Sequence, residues 1–162
     1  MNHVYDLFIR NLPEVIDYDY VCGLSENTKE KIWKIIKKKK TKSYIEKARV
    51  IFKALLSPWR FYYQDKGTFI KTAEQTFTPV GIWPFRKRVA KCQGISLFLH
   101  SALRFIEIEN SIALIVRDYR GRFPGEESRM IWWTHACVKI NFGTESIIVD
   151  PVYLSNEGCR VN

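Results

Sequence analysis

"WWTHACVKINFGTESIIVDP", Trp132 to Pro151, decides the fold: two runs rich in β-branched and aromatic residues flank the turn-forming stretch Asn141 to Thr144. Such side chains suit a pleated, half-buried surface, so the stretch reads as a hairpin of two antiparallel strands. Folding it around Asn141 to Thr144 sets the run from His135 to Phe142 against an equal run from Gly143 to Asp150. His135 and Asp150 then face each other. Cross-strand partners on one face lie about 5 Å apart at Cβ, within reach for a carboxylate to accept a ring N–H and fix the imidazole tautomer.

Working outward, "SIALIVRDY" predicts a third strand and "RGRFPGEESR", residues 120–129, a loop. Before them, Ile95, Phe98, Leu99, Ala102, Leu103 and Ile106 fall on one helical stripe, with Cys92 at its start and Gly94 in its first turn. Residues 28–38, with Ile32, Ile35 and Ile36, and residues 43–56, with Tyr44, Ala48, Ile51, Phe52, Leu55 and Leu56, predict two amphipathic helices. Pro58 and Gly67 end that pattern and "TFTPVGIWPF" interrupts again, leaving at most a short helix from Thr72 to Phe77. The order predicts an α+β fold: N-terminal helices, then a central helix opening with Cys92, packed on an antiparallel sheet.

A chain of 162 residues, 46% hydrophobic, supports one core, so a single domain over 1–162 is expected, with a basic helical segment over about 1–65. Asp6, Glu14, Asp17 and Asp19 do not fit a secretory leader, and "ISLFLHSALRFIEI" is broken by His100, Arg104 and Glu107, so a cytoplasmic location and no membrane span are expected. Cys22, Cys92, Cys137 and Cys159 show no C-x-x-C spacing, and no His and Cys spacing suggests zinc. Reduced thiols, no metal and no cofactor follow as expectations. His3 and His100 read as structural or exposed.

The net charge of +9 is concentrated between Thr28 and Tyr63, where twelve basic residues stand against Glu30 and Glu46. Lys37, Lys38, Lys39 and Lys40 are either a solvated helix end or a surface for nucleic acid or another polyanion.

The chemistry centres on Cys92. A cysteine at a helix N-terminus has its thiolate favoured by the helix dipole and unbonded N–H groups, and a nearby imidazolium strengthens the effect. Singly, a buried Cys, a strand His and an Asp before Pro are ordinary packing and turn residues; together, a helix-start thiol with His135 and Asp150 on adjacent strands makes a Cys-His-Asp set.

Over about Thr72 to Tyr153 the chain resembles the transglutaminase-like superfamily of papain-type fold. "CQGIS" is similar to that family's C-x-G motif at Cys92, Gly94, Ile95 and Ser96, "HACV" to its His motif, and "IIVDP" to its Asp motif. The resemblance implies Cys92 as nucleophile, His135 as base and Asp150 as orienting group, working through a thioester on a protein or peptide substrate, with peptidase chemistry favoured over acyl transfer to an amine. Ala90 stands where a Gly is common, Gln93 where an acid often follows the cysteine, and Cys137 where a Trp follows His-Ala. Cys137 shares a strand face with His135 and reads either as packing or as a redox neighbour of Cys92. Gln75 and Trp83 carry N–H groups for a second oxyanion donor. The competing expectation is a catalytically silent module that binds nucleic acid or an assembly partner through its basic helices.

Overall fold

Caps and apolar stripes place most of the helices. The structure is a computed structural model that describes residues 18–64, 71–118 and 132–152. It holds α1 (Tyr18–Cys22), α2 (Glu26–Lys39), α3 (Tyr44–Ala54), β1 (Phe61–Tyr63), α4 (Ala73–Phe77), β2 (Arg88–Ala90), α5 (Cys92–Phe105), β3 (Asn110–Asp118), β4 (Trp132–Phe142) and β5 (Glu145–Val149). The 120–129 loop reading, His3 and Cys159 lie outside the described residues.

Ser25 caps α2 by accepting the Thr28 N–H, and Ser43 with Glu46 closes a capping box on α3. Glu74 ties α4 to the start of α2, since its carboxylate accepts from the Ser25 N–H, Ser25 Oγ and Thr28 Oγ1, each at 2.9 Å. The buried faces of α2 and α3 carry Ile32, Ile36 and Ile51, as their periodicity predicts, whereas Tyr44 and Leu56, expected on the second stripe, are exposed at its two ends.

The core converges on α5. Phe98 is fully buried, stacked on Phe77 at 4.8 Å and Phe61 at 5.3 Å between ring centroids, with Trp59 edge-on at 5.5 Å. Its neighbours Ile95, Leu99 and Leu103 join one buried cluster with Ile32, Ile51, Val138 and Val149, so the basic helices and the sheet share a core. Each such side chain contributes roughly 1.5–3 kcal/mol by leaving water.

The architecture is mixed α+β, as expected, with an antiparallel sheet in the order β3-β4-β5. Two features differ from the sequence reading. A short parallel pair, β1 with β2, joins Phe61–Tyr63 to Arg88–Ala90, held at its edge by Arg88, which donates to the carbonyls of Trp59 and Phe77 at 2.7 Å. The β4–β5 register is also shifted by two: Phe142 pairs with Glu145 and Val138 with Val149, so the turn is only Gly143 and Thr144. Gly143, at φ 66, supplies the left-handed conformation that a two-residue turn favours. No described helix is long and apolar enough to cross a membrane.

Candidate active site

Cys92 is the first residue of α5, and its N-cap, Lys91, makes no side-chain cap hydrogen bond. The first-turn N–H groups are therefore open to an anion at the cysteine sulfur. Gly94 lets this turn close on α4: a Cβ there would stand 2.8 Å from Thr76 Oγ1 and 3.1 Å from the Ala90 Cβ. Ser96 Oγ donates to the Ala136 carbonyl at 2.8 Å and anchors α5 to β4 one residue from His135.

With the two-residue turn, the position opposite Asp150 is that of Cys137, and His135 lies diagonally across. An even shift keeps the face, so the expected contact forms all the same. His135 Nε2 and Asp150 Oδ2 are 2.8 Å apart, and Asp150 Oδ1 accepts the Val152 N–H at 2.9 Å, so both carboxylate oxygens are held. The side chains are 5% and 19% exposed, so the pair is weakly screened. The hydrogen bond to Asp150, with further ones from Cys137 and Cys92, pushes His135 up to about 12 against the opposing cost of burial.

Burial alone would raise the Cys92 thiol. Hydrogen bonds from His135 and the Ala136 backbone, the His135 charge and the Gln93 backbone outweigh it and hold Cys92 below the ordinary thiol range. Cys137 goes the other way: it is fully buried, and desolvation together with the Asp150 charge raises it despite a hydrogen bond to His135. Two thiols thus lean on one imidazole, and only the one at the helix start is favoured as thiolate. Both are free of disulfides. His135, Cys137 and Asp150 also offer ligand atoms that all lie within 4.8 Å of one another, a donor set that chain spacing does not reveal.

The expected oxyanion residues lie in different settings. Gln75 is exposed and its amide oxygen accepts the Thr72 N–H at 3.0 Å, half of the α4 capping box. Trp83 is 79% exposed in a turn closed by paired hydrogen bonds between Val80 and Lys87. The amide beside the thiol is that of Gln93, whose Oε1 accepts from Cys92 Sγ at 3.4 Å. Rotating that amide by half a turn presents its NH2 to the same space. The sequence signal for Gln93 was its adjacency to the cysteine.

His100 is buried, with Nδ1 2.7 Å from Asn110 Oδ1, and burial holds its pKa below the usual histidine range, in keeping with a structural role. Lys38, Lys39 and Lys40 line a groove between α2 and α3 together with Arg49 and Lys53, while Lys37 lies on the side of Trp33 and Lys34. The chain matches no family model, no curated protein and no solved structure.

Proposed function

We propose that the chain is a cysteine-dependent amide-bond enzyme of transglutaminase-like type, with Cys92 as nucleophile, His135 as acid and base, and Asp150 as the group that orients the ring. The observation that carries this reading is the convergence of an uncapped helix-start thiol on an imidazole whose far nitrogen is fixed by Asp150. With Nε2 committed to Asp150, Nδ1 is the nitrogen left to exchange a proton with the thiol.

The steps follow from these groups. Cys92 thiolate attacks the amide carbon, a C–S bond forms, and the carbonyl π pair moves onto oxygen. The α5 N–H groups, and the Gln93 amide once turned, stabilise that oxyanion; one such donor is worth about 3 kcal/mol. His135 gives its proton to the departing nitrogen as the C–N bond breaks and a thioester remains. Water then attacks the thioester, His135 takes its proton, and Cys92 leaves as thiolate with the acyl group released as a carboxylic acid. A lysine amine in place of water would make the reaction acyl transfer; hydrolysis of a peptide or protein amide is the favoured outcome. A reducing, cytoplasmic setting suits this thiol.

Iodoacetamide labelling at pH 6 in the presence of chelator tests the assignment. Cys92 should alkylate far faster than Cys137, whereas equal slow labelling of both would remove the activated nucleophile from the proposal. Product masses from candidate peptides, with and without an added amine, then separate hydrolysis from transfer.

A second reading draws on the groove lined by Lys38, Lys39, Lys40, Arg49 and Lys53, where the acid Glu46 is already bonded to the Lys42 and Ser43 N–H groups. In that reading the module binds nucleic acid and the triad is silent. Replacing Lys37, Lys38, Lys39 and Lys40 by Gln should then reduce the salt slope of nucleic-acid binding by about one for each phosphate that is no longer neutralised. Binding that is absent or independent of salt would dismiss it.

A further inference from the structure

Cys137 is the group that the acyl-transfer chemistry does not use. A Val or Ala would fill its buried place without bringing a second sulfur to the imidazole that serves Cys92. Instead its Sγ lies in a cluster with His135 and an Asp150 oxygen, all within 4.8 Å of one another.

Sulfur, nitrogen and carboxylate oxygen on one centre is a donor set for a borderline-soft ion, unlike the all-oxygen shells of magnesium and calcium. Around tetrahedral zinc, with Zn–S about 2.3 Å and Zn–N about 2.0–2.1 Å, ligand atoms stand roughly 3.3–3.8 Å apart. To reach that range the 2.8 Å contact between His135 Nε2 and Asp150 Oδ2 opens and the wider separations, up to 4.8 Å, close, each by about 1 Å of side-chain movement. The backbone already supplies the convergence: Cys137 and His135 alternate onto one face of β4, and Asp150 follows β5 directly opposite Cys137.

We propose that His135, through Nε2, Cys137 and Asp150 form a binding site for a zinc-class divalent ion, with water completing the fourth position. Binding releases the Cys137 proton and the proton of the coordinating ring nitrogen to water, with no change of oxidation state. The site itself stands on donor geometry; its consequence, that the bound ion withdraws His135 from its acid and base role, rests on the proposed amide chemistry.

Cobalt(II), added to the reduced, chelator-treated full chain, is the probe. One equivalent should produce thiolate-to-cobalt charge transfer in the near ultraviolet and visible bands of tetrahedral strength, which zinc then erases by displacement. Cys137→Ser should weaken binding by roughly tenfold or more, the scale of loss seen even for groups one shell out from a metal. Cys92→Ala should keep both the ion and its charge transfer, which arises from Cys137 alone. A wild-type titration without charge transfer overturns the site, whatever the variants do, and so does unchanged affinity in folded Cys137→Ser. Peptide turnover is read separately on metal-free protein. A missing cobalt site with turnover intact sinks this inference alone, and a cobalt site in a protein without turnover sinks the catalytic reading alone.

Discussion

At the start of α3, Ser43 Oγ accepts the Glu46 N–H while the Glu46 carboxylate reaches back to the N–H groups of Ser43 and Lys42. At the start of α5, Lys91 offers no side-chain acceptor, and the next residue is Cys92. Both helices have the same orphan donors to satisfy. In α3 the chain satisfies them from within, which fixes the helix start by its own side chains. In α5 they stay available at the thiol, and the start is held by other means: close packing at Gly94 and the Ser96 bond to Ala136. The contrast shows how a helix terminus serves chemistry: the cap is left out and its structural role passes to packing one turn further in.

The sharpest break in that contrast is Cys92→Ala. Turnover of any peptide substrate should vanish, while the melting temperature stays within a few degrees of wild type, because the anchors of the turn lie at Gly94 and Ser96. Full retained turnover, read by product mass, would end the triad assignment.

His135→Ala comes next, since it removes the imidazolium while leaving the helix start intact. Cys92 should then behave as an ordinary thiol, ionised at pH 6 to about one part in three hundred if its pKa returns to about 8.5. Unchanged alkylation would dissolve the Cys92–His135 pair. The same variant has a stability signature. His135 titrates higher in the folded protein, about 12, than the ordinary histidine value of 6.5, so its contribution is complete below pH 6.5 and is lost as pH rises toward 12. The gap in melting temperature between wild type and His135→Ala should therefore narrow from pH 6 to pH 10.

Lys91→Asp makes α5 begin as α3 does. A carboxylate cap should add roughly 0.5–2 kcal/mol to stability, and by occupying the first-turn N–H groups it should slow alkylation of Cys92 at pH 6. A gain in stability with unchanged labelling would mean those N–H groups do not support the thiolate. The smallest effect is the mirror experiment: Ser43→Ala should cost about 1 kcal/mol in denaturant unfolding and leave Cys92 labelling untouched.

Residues with a local signature were legible in the sequence. The α5 stripe, the hairpin, and Cys92, His135 and Asp150 were read from periodicity, turn residues and motif. The register was not, because "NFGT" admits a four-residue loop as well as a two-residue turn, and only Gly143 at positive φ decides between them. That error moved Asp150 by two places and not to the other face, so the pairing with His135 survived it. Gln75 shows a legible signal overlooked: Thr72-x-x-Gln75 is a capping box, and its amide oxygen is engaged there. The β1–β2 pair has no local signature. Its strands are three residues each, far apart in sequence, and they meet because Arg88 and the aromatic core bring them together.

The backbone of Ala136 acts as a common ruler for the site. Its carbonyl receives Ser96, its N–H supports the Cys92 sulfur, and the residue before it is His135. Nucleophile and base are therefore both measured from one residue of β4 and its neighbour, not from two independently placed elements. A shift of β4 that keeps these two bonds carries the start of α5 with it, so they couple the spacing of thiol and imidazole to a single strand.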